Sequence, residues 1–243
     1  FCFLTWNNPV HFRASHIYHH QFTVYRGQDK EVVKEPVRVL LNAGNLVSWL
    51  TFDYAWFWTL VKTTVQHAFG NADADFFHWD PLFPKGDPRR AAMVRWARIM
   101  VIGSIVLIAL FIYFKLYVLI FLVNFGGFFV TILGRLTLAV QHQGLAENTP
   151  DWRLVAHTVH FGPLGRYLYW NMNYHIEHHM YAAVPFHRLP RFHDEIKKDL
   201  PETPPSWAAG LRMVMSIRKM QEKDPGYTYV PKFPAGAAAP RLK

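Results

Sequence analysis

From Ile99 to Val140 the chain is almost continuously apolar, with Lys115 the only charge before Arg135. A bilayer's hydrocarbon layer is about 30 Å thick and takes about 20 helical residues to cross, so this run is too long for one crossing. It divides at Lys115, predicting transmembrane helices at about 93–114 and 117–139. Runs this long and apolar signal a membrane more than a buried helix pair in a soluble protein. No strand periodicity or βαβ alternation stands out elsewhere. The expected fold is all-α: an integral membrane helical hairpin with a cytoplasmic helical cap.

Charge placement gives the expected orientation. Of 26 Lys and Arg, only Lys115 and Arg135 fall between Ile99 and Ala139, so the positive-inside tendency has the hairpin enter from the cytoplasm and return to it. The aromatic-rich stretch 46–69 contains Asp53 and Lys62 at depths where an unpaired charge costs roughly 2.5–3.5 kcal/mol. It is read as an interfacial segment, with Trp49, Trp56 and Trp58 suited to the headgroup boundary. Residues 1–45, 70–92 and 141–243 are polar and basic and are assigned to the cap, within a single domain spanning 1–243. The tail 201–243, with its PETPPSW and PAGAAAP segments, is expected to pack loosely around one short helix near 206–222. Because the sequence opens on Phe1, its true amino terminus is expected to lie upstream.

The net charge of +9 comes with no nucleic-acid-binding motif, which favours an anionic membrane surface or an acidic protein as partner. Cys2 is the single cysteine, excluding an internal disulfide and a thiolate metal site.

Two segments share one pattern, His-x-x-His-His: HIYHH gives His16, His19 and His20, and HIEHH gives His175, His178 and His179. Random placement of the chain's 14 histidines yields two such boxes about once in a thousand chains, so coincidence is a weak explanation. On a helix, residues at i, i+3 and i+4 share a face while adjacent residues diverge by about 100°, so one box can serve two neighbouring metals. Neutral imidazole suits iron, zinc, copper and nickel. The zinc-protease pattern His-Glu-x-x-His is absent, and no Glu is followed by His three residues on, which removes the carboxylate-bridged ferritin-type motif. An all-histidine, multi-metal site remains.

At these residues, in FRASHIYHHQFTVYRGQD and WNMNYHIEHHMYAAVPFHRLPRFH, the sequence resembles the second and third histidine boxes of the membrane fatty acid desaturase and hydroxylase superfamily. The resemblance runs from about Asn7 to Leu200. It implies two iron ions (Fe2+/Fe3+), dioxygen as co-substrate and a fatty acyl substrate. It adds His142, in LAVQHQGLAEN, as a ligand at the cytoplasmic end of the last transmembrane helix. The implied set is His16, His19, His20, His142, His175, His178 and His179, with two more expected from a first box upstream to make about nine. His11 mimics the spacing of that first box with His16 but lies within the second-box segment and is rejected. Without the upstream box, the metal site is expected to be incomplete and inactive.

Asn171, Asn173, Glu177 and His157 are candidates for hydrogen-bonding the ligand imidazoles, as ligating histidines usually require. His160, three residues after His157 in AHTVH, shares that outer role and is not read as a ligand, while His67, His78, His187 and His193 are read as surface or packing residues. Boxes that meet must lie on one side of the membrane, which needs an even number of crossings between them. Two satisfy this.

The expected reaction is oxygen-dependent desaturation of an acyl chain carried by coenzyme A, acyl carrier protein or a phospholipid. Two electrons must come from a separate donor such as a ferredoxin or a cytochrome b5-like protein, because no haem or iron–sulfur cysteine pattern is present. The nearest alternative is a hydroxylase or ketolase of the same superfamily acting on a lipid, alkane or carotenoid. A membrane metal transporter or sensor is the rival of another class. Transport sites usually lie at mid-membrane on broken helices, whereas both boxes lie in polar segments.

Overall fold

The computed structural model describes residues 2–29, 31, 43–74 and 82–241; His78 lies outside them. The described chain is helical, in the order α1 (Pro9–Phe22), α2 (Ala43–Leu50), α3 (Tyr54–Ala68), α4 (Pro88–Tyr113), α5 (Tyr117–Leu119), α6 (Ile132–His142), α7 (Trp152–Val155), α8 (Pro163–Leu168), α9 (His175–Met180), α10 (Leu189–Ile196) and α11 (Trp207–Lys223). It divides into two compact units: Phe1–Tyr18 with Leu41–Leu133, and His19–Leu40 with Gly134–Lys243.

The first unit is organised around α4. Asp87 caps its start by accepting from the Arg89 amide at 2.8 Å, and Pro88 occupies the first turn, where a missing N–H costs nothing. Twenty-six residues at 1.5 Å each make about 39 Å, enough to cross a bilayer. It is the one helix among the described residues long and apolar enough to do so, and only 17% of its most apolar stretch is buried. A soluble core helix would bury most of that surface. The helix ends at the predicted place, where Lys115 turns the chain at φ 58.

Beyond that turn, the continuous helix expected over 117–139 is broken into α5, a π-helical turn at Ile120–Asn124, a 3-10 turn at Gly126–Phe128, and α6. Local chemistry accounts for the break. Gly126 and Gly127 are weak helix formers, and Asn124 is held outside a regular ladder, its amide donating to Ser104 O at 3.3 Å while its carbonyl accepts from the Trp6 indole at 2.8 Å. Phe128 is then fixed in a core with Trp6, Leu60 and Met100.

Asp53 likewise divides the stretch 46–69 into α2 and α3. Its carboxylate accepts from the Trp56 amide and the Thr131 hydroxyl, each at 3.1 Å, and its own amide bonds Phe128 O at 2.8 Å. The acid that looks costly in sequence is thus a buried helix cap with its partners supplied.

In the second unit α11 runs close to the sequence expectation. Gly210 permits its approach, since a Cβ there would meet Val159 Cγ1 at 2.8 Å. The tail beyond it is tied down rather than loose. Arg153 donates to Asp199 O, Ala238 O and Ala239 O, and Thr149 donates to Arg241 O. Tyr229 N bonds Gly144 O at 2.6 Å, and Glu202 N bonds Lys232 O at 2.8 Å. Proline and alanine-rich sequence reads as slack, but its carbonyls are acceptors that a buried arginine can collect.

Candidate metal centre

Three elements of the second unit deliver imidazoles to one place: the last turn of α1 (His19, His20), the end of α6 (His142), and α9 (His175, His178, His179). His19, His142 and His179 are buried and offer ring nitrogens all within 4.8 Å of one another. His175 joins them, its Nε2 lying 2.9 Å from His142 Nε2 and 3.2 Å from His179 Nε2. His20 Nε2 and His178 Nε2 are 3.0 Å apart, and the His20 ring stacks on His179 at 4.3 Å. His16 stands one turn before His20 on α1, its ring stacked on Phe12 at 5.4 Å.

The opposite edges of these rings fix their protonation. His19 Nδ1 meets Asp29 Oδ2 at 2.9 Å, and His142 Nδ1 meets Val155 O at 2.7 Å. Carboxylate and carbonyl oxygens only accept, so both Nδ1 atoms carry hydrogen, and a neutral ring so held turns the lone pair of its Nε2 inward. The Thr23 hydroxyl donates to His19 O at 2.6 Å and therefore accepts from His179 Nδ1 at 3.1 Å. His179 Nε2 is a lone pair as well. Burial pushes His142 down to about 3, reinforced by the nearby His19, and burial with its histidine neighbours holds His179 well below its ordinary value. Neutral imidazoles are what a metal requires.

His175 Nε2 lies within hydrogen-bond distance of the inward Nε2 atoms of both His142 and His179, and a cation is the group whose chemistry suits several neutral imidazoles gathered this closely. Two nitrogens held about 2.0–2.1 Å from one ion at right angles lie about 3 Å apart, the spacing these Nε2 atoms show. The donor set therefore fits a metal bound by imidazole.

Asp29 reaches His19 through a tight return of the chain after α1. Val24 turns at φ 58 and Gly27 at φ 74, Asp29 N bonds Tyr25 O at 2.9 Å, and the Val24 amide donates to Asp29 Oδ2 at 2.8 Å. Burial raises the Asp29 carboxyl, but the hydrogen bonds from His19 and Val24 outweigh it and hold it below the usual range. This carboxylate, the Thr23 hydroxyl and the Val155 carbonyl orient the imidazoles, and Gln141 approaches His175 Nδ1 at 3.4 Å. None of these was marked by spacing; the sequence signal for Asp29 is an acid in a glycine turn just after a box.

The sequence candidates for that role have these bonds: the Asn173 side chain donates to Val159 O at 3.0 Å, His157 Nε2 to Gln143 O at 3.3 Å, and the Asn171 backbone N–H to Arg166 O at 2.9 Å. Glu177, though in the middle of the box, accepts from Thr158 Oγ1 at 2.5 Å and pairs with His193 Nδ1. Adjacent helix positions diverge, so its carboxylate anchors α9 instead of meeting the ligand rings. His193, read from sequence as surface or packing, is buried for this reason.

The other histidines lie elsewhere. His11 and His67 are buried in the first unit, rings 5.9 Å apart, with His67 Nε2 on Ala74 O at 2.6 Å. His160 meets Thr203 Oγ1 at 2.9 Å, and His187 is exposed.

The model of one family, described as fatty acid desaturase, matches residues 1–210. No curated protein and no solved structure matches the chain.

Proposed function

Because this chain belongs to the fatty acid desaturase family, we propose that it introduces a carbon–carbon double bond into a fatty acyl chain at a di-iron centre held by His16, His19, His20, His142, His175, His178 and His179. The observation that supports this reading is the convergence of imidazole nitrogens from α1, α6 and α9 at about 3 Å. When bound, the metal pair activates dioxygen, supplying an oxidant for an unactivated methylene stronger than any side chain. The chain's own residues do the positioning. Asp29, Thr23 and Val155 O hold three Nδ1 atoms so that three Nε2 lone pairs face inward. The Glu177–His193 pair and Thr158 fix the helix that carries the third box.

The apolar sequence from Ile99 to Val140 is assigned to a hairpin in the bilayer, with the histidine boxes on the cytoplasmic side. Electrons arrive there from a separate donor, a ferredoxin or cytochrome b5-like protein, and the acyl group comes on coenzyme A, acyl carrier protein or a phospholipid.

The test is to express the full-length protein in a host of known lipid profile and to analyse fatty acids beside a His178→Ala control. A new double bond lost in the control is the expected result. An oxygenated chain instead would transfer the assignment to a hydroxylase or ketolase, and unchanged lipids would remove the acyl-chain reading.

A further inference from the structure

A second apolar surface, away from the metal centre, has the character of a lipid contact. Helix α8 is amphipathic in the inverted sense. Gly165 and Tyr169 face inward against Phe161, whereas Leu164, Tyr167 and Leu168, at i, i+3 and i+4 on one face, are 70%, 80% and 67% exposed. Trp170, 59% exposed, extends this face and rests on Phe186 with ring centroids 4.8 Å apart. Tyr167 and Trp170 alone present about 300 Å² of ring surface, already the scale of a functional patch.

The backbone is held so as to present it. Trp170 and Asn171 both adopt φ 54, a left-handed conformation costly for side-chain-bearing residues. Such strain persists where the surroundings impose it and points to a use. Trp170 N bonds Tyr167 O at 3.3 Å and Asn171 N bonds Arg166 O at 2.9 Å, closing the turn behind the tryptophan.

Charge identifies the occupant. No acidic residue occurs between Asp151 and Glu177, while Arg166 lies within the patch segment and Arg188 beside Phe186. Leucines flanked by Tyr, Trp and Arg with no carboxylate match the boundary between acyl chains and anionic headgroups.

We propose that Leu164, Tyr167, Leu168 and Trp170 form a bilayer-contact surface that seats this part of the second unit in the headgroup region of an anionic membrane. This does not depend on the reaction catalysed.

With Cys2 and any further native cysteine of the full-length protein replaced by serine, nitroxide labels are placed at Tyr167→Cys, Leu168→Cys and, as an aqueous control, Glu222→Cys. The full-length protein is reconstituted in vesicles of phosphatidylcholine with phosphatidylglycerol. Collision with oxygen relative to a water-soluble nickel chelate is expected to be several-fold higher at 167 and 168 than at 222. Two labelled positions guard against the failure of one variant to fold. Labels at 167 and 168 as nickel-accessible as at 222 would show an aqueous face and overturn the proposal. Labels shielded from both reagents would show a protein cover, a second copy or another partner, and overturn it equally.

Discussion

Replacing His193 with alanine removes one side of a pair in which Glu177 has no solvent exposure and His193 has 8%. Deleting one partner of a buried, hydrogen-bonded acid–imidazole pair costs up to about 3–5 kcal/mol, because the remaining polar group is left without its partner. Thr158 Oγ1 stays bonded to Glu177, and a hydrogen bond to a charged group contributes about 1.5–3 kcal/mol. The expected loss is therefore near the lower end, about 3 kcal/mol, or roughly 150-fold in the folded-to-unfolded ratio. The perturbation also reaches the metal, since α9 carries His175, His178 and His179 on the same short helix. Loosening that helix is expected to weaken metal binding. Denaturant unfolding in detergent gives the first quantity and metal titration of purified protein the second. The double variant Glu177→Gln with His193→Ala removes the stranded acid and is expected to recover at least about 1 kcal/mol relative to His193→Ala alone. If His193→Ala unfolds at the wild-type denaturant concentration, or the double variant is no more stable than the single one, His193 is not the anchor of Glu177.

Asp29→Asn keeps the size of the His19 partner but removes its charge, and is expected to weaken metal binding 10–100-fold in the same titration. Gly144 sits at φ 81, where a Cβ would lie 2.3 Å from Ile217 Cγ2; Gly144→Ala should cost about 2–4 kcal/mol from backbone strain and overpacking together, read as a lowered melting temperature and partly restored by Ile217→Ala. His157 is lowered from 6.5 to about 4 by burial, against a hydrogen bond to Gln143 O. Because its folded value lies below its unfolded one, its neutral form contributes full stability above pH about 6.5, and that contribution is lost as pH falls toward 4, on the order of 3 kcal/mol in all. Unfolding measured across that window should show a shallower pH slope in His157→Gln, and an unchanged slope would refute the assignment.

What was legible in the sequence was whatever rests on local periodicity or on a repeated chemical word. The apolar run containing α4, the turn at Lys115, the helix near 206–222 and the two histidine boxes all have this character. The breaks were harder to see because they depend on partners distant in sequence. Asn124 leaves its helix for Ser104 and Trp6, and Asp53 becomes a cap through Phe128 and Thr131. The same limit applied around the imidazoles. Glu177 adjoins them in sequence yet bonds Thr158 and His193, while Asp29, a loop away, reaches His19. Adjacency in a helix is angular, and hydrogen-bond partners are chosen by where the backbone returns.

The grip of Arg153 on the tail carries a practical lesson about boundaries. The family resemblance stops at residue 210, inside α11 and well before the carbonyls of Ala238 and Ala239 that this guanidinium holds. A version of the chain cut at the homology border would leave Arg153 its pair with Asp151 and its bond to Asp199 O but remove its tail carbonyls, and would uncover Gly144, where Tyr229 now docks. Where the family match ends and where the folded body ends are different places in this molecule, and an excision guided by the former should yield insoluble material.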